Sequence, residues 1–187
     1  MKYLVVGLGN PGPEYADTRH NIGFQVLDAL ASASNSVFGV ARYGDIAQLR
    51  HKGRTFVLLK PSTFMNLSGK AVRYWMDQEN VPVERLLVLA DDLALPFGAI
   101  RIKPAGGAGG HNGLTSIIEL LGSEGFPRLR FGIGNEFPKG RQSEYVLGRW
   151  DETARKTLPE RIDLASKAVL QFGLLGIDQA MNNFNKR

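Results

Sequence analysis

Apolar and polar positions along the chain fall into two periods. Lys2-Tyr3-Leu4-Val5-Val6-Gly7-Leu8 is a short apolar run, partly β-branched, that stops at Gly9-Asn10-Pro11-Gly12-Pro13 and reads as a buried strand. Ile22, Val26, Leu27 and Leu30 recur at helical spacing and predict a helix over about Arg19 to Ala33, with Thr18 as its cap. Three strand-like runs follow, Val37–Arg42, Asp45–His51 and Thr55–Lys60, with turns at Tyr43-Gly44 and Lys52-Gly53. A helix is expected from Ser68 to Glu79, then strands at Leu86–Ala90 and Ala99–Lys103. The glycine-dense loop Gly106 to Gly113 leads into a helix near Leu114–Leu121, and Arg128–Gly134 is a further strand. From Glu152 the tail reads as helical, interrupted at Pro159 and again at Gly173–Gly176.

Strands alternating with helices predict one domain over 1–187: an α/β three-layer sandwich, a mixed central β-sheet with helices on both faces. The closely spaced middle strands supply the antiparallel part. The chain's 187 residues, 43% hydrophobic and 22% charged, suffice for a core without disulfides or metals. With no cysteine, a disulfide framework, a thiolate metal site and a cysteine nucleophile are all excluded. The first apolar run is too short for a signal peptide, and no later run is long enough to span a bilayer, so a cytoplasmic protein without membrane contact is expected. A net charge of +5 admits an anionic partner such as nucleic acid.

Gly7-Leu8-Gly9-Asn10-Pro11-Gly12 matches the G-x-G-x-x-G dinucleotide fingerprint, and an NAD(P)-dependent oxidoreductase is the reading it suggests. Pyrophosphate binding there uses backbone N–H groups, which Pro11 and Pro13 lack. Asp28 also falls inside the first helix instead of at the end of a second strand. The glycines then serve a tight turn.

Four polar signals fall where strands end: Asn10, Asn66, Asp91-Asp92 and Asn112, with His20 at the start of the first helix. If the strands run alike, all of these converge on one crevice outside their carboxyl ends. Taken singly, each asparagine also fits a turn or cap, His20 a surface histidine and Asn21 the helix cap. Together they suit general-base chemistry. A histidine titrates near neutrality, a carboxylate fixes its tautomer, and amides hold an acyl oxygen. There is no G-x-S-x-G elbow and no H-E-x-x-H, and His20, His51 and His111 are the only histidines. His111, in the glycine loop, reads as positional. Direct attack of water on an activated ester remains, with no metal and no cofactor.

Several long motifs, in order, resemble the bacterial-type peptidyl-tRNA hydrolase family over nearly the whole chain. They are Gly7 to Gly12, Thr18-Arg19-His20-Asn21-Ile22-Gly23 with Tyr15, Lys60 to Gly69, Asp91-Asp92-Leu93, Gly109 to Leu114, Arg128 to Gly134, and Tyr145-Val146-Leu147. The resemblance implies hydrolysis of the ester between peptide and tRNA, recycling the tRNA. His20 would activate water, Asp91 would orient His20, and Asn10 would select an N-blocked substrate. Asn66 and Asn112 would bind the peptide end and the 3′-terminal ribose, with Tyr15 and Phe64 lining the groove. Arg101, Lys103 and Arg130 would meet acceptor-stem phosphates; Arg101 and Lys103 also alternate on one strand face, which makes a basic strip or simply a solvated one. A monomer is expected. Ala94 and Asn135-Glu136 depart from the family pattern. The competing reading is a non-catalytic RNA-binding protein of the same fold.

Overall fold

The computed structural model describes residues 1–187. Seven strands form one mixed sheet: β1 (Lys2–Gly7), β2 (Gly39–Ala41), β3 (Gly44–His51), β4 (Arg54–Pro61), β5 (Leu86–Asp92), β6 (Ile100–Lys103) and β7 (Arg128–Gly132), in the order β2-β3-β4-β1-β5-β7-β6. β4, β1, β5 and β7 run parallel, while β2, β3 and β6 are antiparallel to their neighbours. The middles of the central strands, Leu4–Val6 of β1, Phe56–Leu59 of β4 and Leu86–Ala90 of β5, are apolar without a break because both faces are covered.

Six helices cover the two faces: α1 (Ile22–Ala33), α2 (Ser68–Glu79), α3 (Asn112–Leu121), α4 (Gln142–Val146), α5 (Glu152–Leu175) and α6 (Ile177–Phe184). Period-two alternation within the strands splits the core in two. Val5, Leu58, Leu87 and Leu129 face α1 and α5, together with Leu27, Val169 and Phe172. Leu4, Val6, Leu59 and Val88 face α2 and α3, together with Val72, Leu114 and Ile117. This is the three-layer α/β sandwich expected.

Several boundaries differ from the sequence expectation. β5 runs through Asp91 and Asp92, so both carboxylates sit on a strand end held by β7. Asn112 is the first residue of α3 instead of the residue before it. The segment Arg19–Asn21 is a 3₁₀ turn preceding α1, and the Thr18 hydroxyl bonds back to the Tyr15 carbonyl without capping the helix. The β2–β3 turn is Arg42-Tyr43, one residue earlier than expected. The short α4 carries no long apolar period and was not foreseen.

The largest difference lies in the tail, where α5 is continuous through Pro159. An interior proline removes one helix hydrogen bond and costs roughly 3 kcal/mol. Ile162, Ala165, Val169 and Phe172 nevertheless pack on the core in a helical stripe. Each well-buried large side chain among them returns about 1.5–3 kcal/mol, so the helix survives. Gly173 stays helical because the Phe56 ring occupies the space a Cβ would need. The helix ends only at Gly176, whose φ of 89° favours glycine.

The glycines of the first loop have a packing role beyond the turn. A Cβ on Gly7 would strike the carbonyl of Gly23, and one on Gly23 would lie 2.6 Å from the Leu8 nitrogen. β1 and α1 therefore meet backbone to backbone, three residues after His20. Alanine at 23 should gain about 1 kcal/mol in helix propensity, but backbone cannot yield as a side chain does. We expect Gly23→Ala to destabilise by a net 1–3 kcal/mol, roughly the cost of overpacking, read as a lower urea midpoint. An unchanged midpoint would show that the contact is not tight.

Candidate active site

The parallel strands bring their carboxyl ends to one edge of the sheet, where a cleft of about 470 Å³ opens. His20, Asp91, Asp92, His111, Asn112 and Arg130 line it, together with the glycine loop and residues of the 135–146 segment. Asp91, on the last turn of β5's pleat, is 6% exposed. Its two oxygens lie 3.0 and 2.9 Å from Nδ1 of His20, and Oδ1 lies 2.8 Å from Nε2 of His111.

The hydrogen-bond pattern fixes the protons. Nδ1 of His111 accepts the Gly113 and Leu114 backbone N–H groups at 3.1 and 3.4 Å, capping α3. Its proton must therefore sit on Nε2 and point at Asp91. His20 in turn donates its Nδ1 proton to the carboxylate, which leaves the Nε2 lone pair free. Burial alone would push the Asp91 carboxyl up; the electrostatic and hydrogen-bond contacts of His111, and then those of His20, outweigh it and hold it at about 2. Asp91 is thus a fixed anion behind the His20 ring. His20, Asp91 and His111 also bring one potential metal-ligating atom each within 4.8 Å of one another. With a proton on Nε2, His111 has no lone pair to offer there, so two ligands remain, and the trio is better suited to orienting a base.

Around this centre each loop is tied to the next. Asn21 is buried, and its side chain holds both the N–H and the carbonyl of Asn10 at 2.9 Å. Asn10 Oδ1 then accepts the Met65 N–H at 2.8 Å, which leaves its Nδ2 donors without an intramolecular partner. Asn66 stands exposed in the same 3₁₀ turn as Met65, and Phe64 before it is 59% exposed. Gly113 packs against Met65 and Leu8 at the start of α3, and Ser116 Oγ accepts the Gly69 N–H at 2.9 Å. Tyr15 lies half-buried in the turn Pro13–Tyr15. Arg19, next to His20, ties its own turn to α4, donating to the Tyr145 carbonyl at 2.9 Å with its guanidinium 4.0 Å over the Tyr145 ring.

The basic strip lies at the other end of the cleft. Arg101 faces Arg130, and Lys103 faces Arg128, across the β6–β7 ladder. Arg128 is buried and spends its donors on the carbonyls of Phe126, Gly107 and Glu124, which shapes the glycine loop. Arg130 is bound to Asp92 at 2.6 Å, Arg101 is half-buried and Lys103 is exposed. Like charges directly opposite on a ladder are unfavourable unless an anion joins them.

The family profile described as peptidyl-tRNA hydrolase matches residues 4–187. The chain belongs to the peptidyl-tRNA hydrolase family. It is 58% identical to the peptidyl-tRNA hydrolase of Bacteroides fragilis over the whole of both chains. It is 55% identical to that of Porphyromonas gingivalis, over 99% of this chain and all of that one. The crystal structure of the Acinetobacter baumannii peptidyl-tRNA hydrolase superposes with a TM-score of 0.92 at 37% identity, covering 98% of this chain and 94% of that one.

Of the residues singled out from sequence, His20, Asp91, Asn112 and Arg130 line the cleft itself. Asn10 and Asn66 adjoin it through Asn21 and Met65. Tyr15 and Phe64 lie on the turns flanking these, outside the cleft lining, and Arg101 and Lys103 lie on the neighbouring strand β6. Sequence reasoning undervalued His111 and missed Asn21, Arg19 and Arg128. A histidine directly before a helix start was a usable cap signal; nothing distinguishes the buried Arg128 from the other cations of the strip in sequence.

Proposed function

We propose that this protein hydrolyses the ester of peptidyl-tRNA in the cytoplasm, as a monomer and without a cofactor. The observation that carries the reading is the free Nε2 of His20, backed by an ionised Asp91 and facing the cleft. His20 takes a proton from water as the water oxygen attacks the acyl carbon. The bond to the 3′-terminal ribose oxygen then breaks, and that oxygen takes the proton back. The products are a tRNA with a free 3′ hydroxyl and a peptide carboxylic acid, which loses its remaining proton to solvent. The Nδ2 donors of Asn10 hold the peptide carbonyl and so favour an N-blocked substrate over a free aminoacyl group. Asn66 and Asn112 hold the peptide end and the terminal ribose, and Tyr15 and Phe64 flank the incoming strand. No helix is long and apolar enough to cross a membrane.

The decisive assay is release of N-acetyl amino acid from N-acetyl-aminoacyl-tRNA beside the unblocked aminoacyl-tRNA. We expect rapid release from the first and little from the second; equal rates would refute the selectivity, and none at all the activity. Arg101, Lys103 and Arg130 meet backbone phosphates of the acceptor stem. Lys103 is the exposed member, so Lys103→Ala should weaken tRNA binding and lower the slope of log K against log salt by roughly 0.9. A slope equal to the parent's would remove Lys103 from the interface.

A further inference from the structure

A second cluster lies at the same sheet edge, beyond Phe64 and Asn66. The turn Arg42-Tyr43 stands beside the carboxyl end of β4, with the Tyr43 carbonyl accepting the Ser62 N–H at 2.8 Å. The Trp75 indole N–H pins the same turn to α2 by donating to the Arg42 carbonyl at 2.7 Å. Tyr43 and Tyr74 meet edge to face at 5.4 Å, and Tyr74 and Trp75 at 5.3 Å. The exposed Arg42 guanidinium lies 5.2 Å over one tyrosine ring and 5.1 Å over the other.

Two further features mark this ledge. Tyr43 has a φ of 63°, at a turn position where glycine or asparagine is unstrained and a bulky side chain is rare. Strained positions of this kind concentrate at functional sites. From Pro61 to Met76 the chain carries Lys70 and Arg73, both exposed, and no carboxylate, so the surface is cationic as well as aromatic.

Position decides what the ledge meets. The basic strip assigned to tRNA lies on β6 and β7, on one side of His20. The ledge lies on the opposite side, past β1 and β4. Strands are about 4.8 Å apart, so β3 lies roughly 14 Å from β5 across the sheet. An extended peptide advances about 3.4 Å per residue and covers that distance in about four residues. We infer that Arg42, Tyr43 and Tyr74 form a distal subsite for the nascent peptide, taking an aromatic or acidic side chain about four to five residues from the ester. This rests on the peptidyl-tRNA reading above and adds a preference for longer peptides of that composition.

The test compares N-acetyl-alanyl-tRNA with a hexapeptidyl-tRNA carrying Asp and Phe at the fourth and fifth residues from the ester. In Arg42→Ala and Tyr74→Ala we expect KM for the hexapeptidyl substrate to rise about fivefold to tenfold, the scale of one lost cation–π contact partly desolvated by substrate. Its kcat and the turnover of N-acetyl-alanyl-tRNA should stay unchanged. Tyr43→Gly, which keeps the turn's backbone free of strain at a φ of 63°, should raise KM for the long substrate in the same way. Unchanged KM for the hexapeptidyl substrate in all three variants overturns the subsite. An equal loss on both substrates with a flatter salt dependence also overturns it, by placing RNA on the ledge. Failure of the parent protein to cleave either substrate would sink the hydrolase reading instead.

Discussion

His20→Ala is expected to lower kcat/KM for N-acetyl-aminoacyl-tRNA by about 10²–10⁴, the range that general-base assistance supplies. The side chain's one hydrogen-bond partner is Asp91, and the ring stands between the His111 ring, 5.0 Å away, and the cleft, so its removal leaves a polar gap in the cleft wall and not a void in either apolar cluster. Thermal unfolding should stay within a few degrees of the parent, which separates lost chemistry from lost fold. The substrate contacts proposed for Asn10, Asn66 and Asn112 do not involve this ring, so kcat should carry most of the loss. Turnover at the parental rate would remove the imidazole from the mechanism.

Asp91→Asn should cost nearly as much in rate, up to about 10⁴ by analogy with the carboxylate of a Ser-His-Asp triad, and it should change acid stability as well. An asparagine has one acceptor oxygen where two imidazole N–H groups now converge, and its amide hydrogens oppose one of them. Either His20 changes tautomer and loses its outward lone pair, or His111 leaves the cap of α3. The acid effect has a definite sign. The folded pKa, about 2, lies below the ordinary 3.8, so folding favours the ionised form. The stabilisation is complete above about pH 4 and is lost as pH falls through about 2, amounting to about 2 kcal/mol. The asparagine variant should lack this contribution at every pH. The gap in urea midpoint between it and the parent should therefore close on going from pH 5 to pH 2. A constant gap would mean that the carboxylate's charge contributes nothing to the fold.

The fold was legible where one physical signal dominated. Val5, Leu58, Leu87 and Leu129 lie in apolar runs too short for helices, so the parallel strands stand out. Their shared direction brought His20, Asp91 and Asn112 to one rim, as the strand-end rule requires. Legibility failed where two signals competed. Pro159 and Gly173 are local helix breakers, and only tertiary burial of Val169 and Phe172 and the Phe56 ring beside Gly173 overrule them. It failed again where a residue's role depends on a distant partner. Arg128 and Arg130 look alike in alternation, yet one folds inward onto three carbonyls and the other reaches Asp92. Nothing in the glycine loop announces that His111 meets a carboxylate twenty residues earlier. The turn expected of the first glycines holds at Gly12, with its φ of 110°, whereas Gly7 closes β1, and what requires glycine at 7 and 9 is tertiary: the backbone of Gly23 beside the first, the Phe24 ring and Asn21 beside the second.

The far side of β6 carries one more consequence. Asn185, just after α6, accepts the Ile102 N–H on its Oδ1 at 2.6 Å and donates from its Nδ2 to the Ile102 carbonyl at 2.9 Å. One side chain thereby imitates a rung of an eighth strand and keeps both outward backbone groups of Ile102 from a foreign backbone. The opposite margin, β2, has only three residues and a Val40 that is 95% exposed. Of the two margins, β2 is therefore the one that nothing in the chain covers, and edge-to-edge pairing of two copies is expected there first.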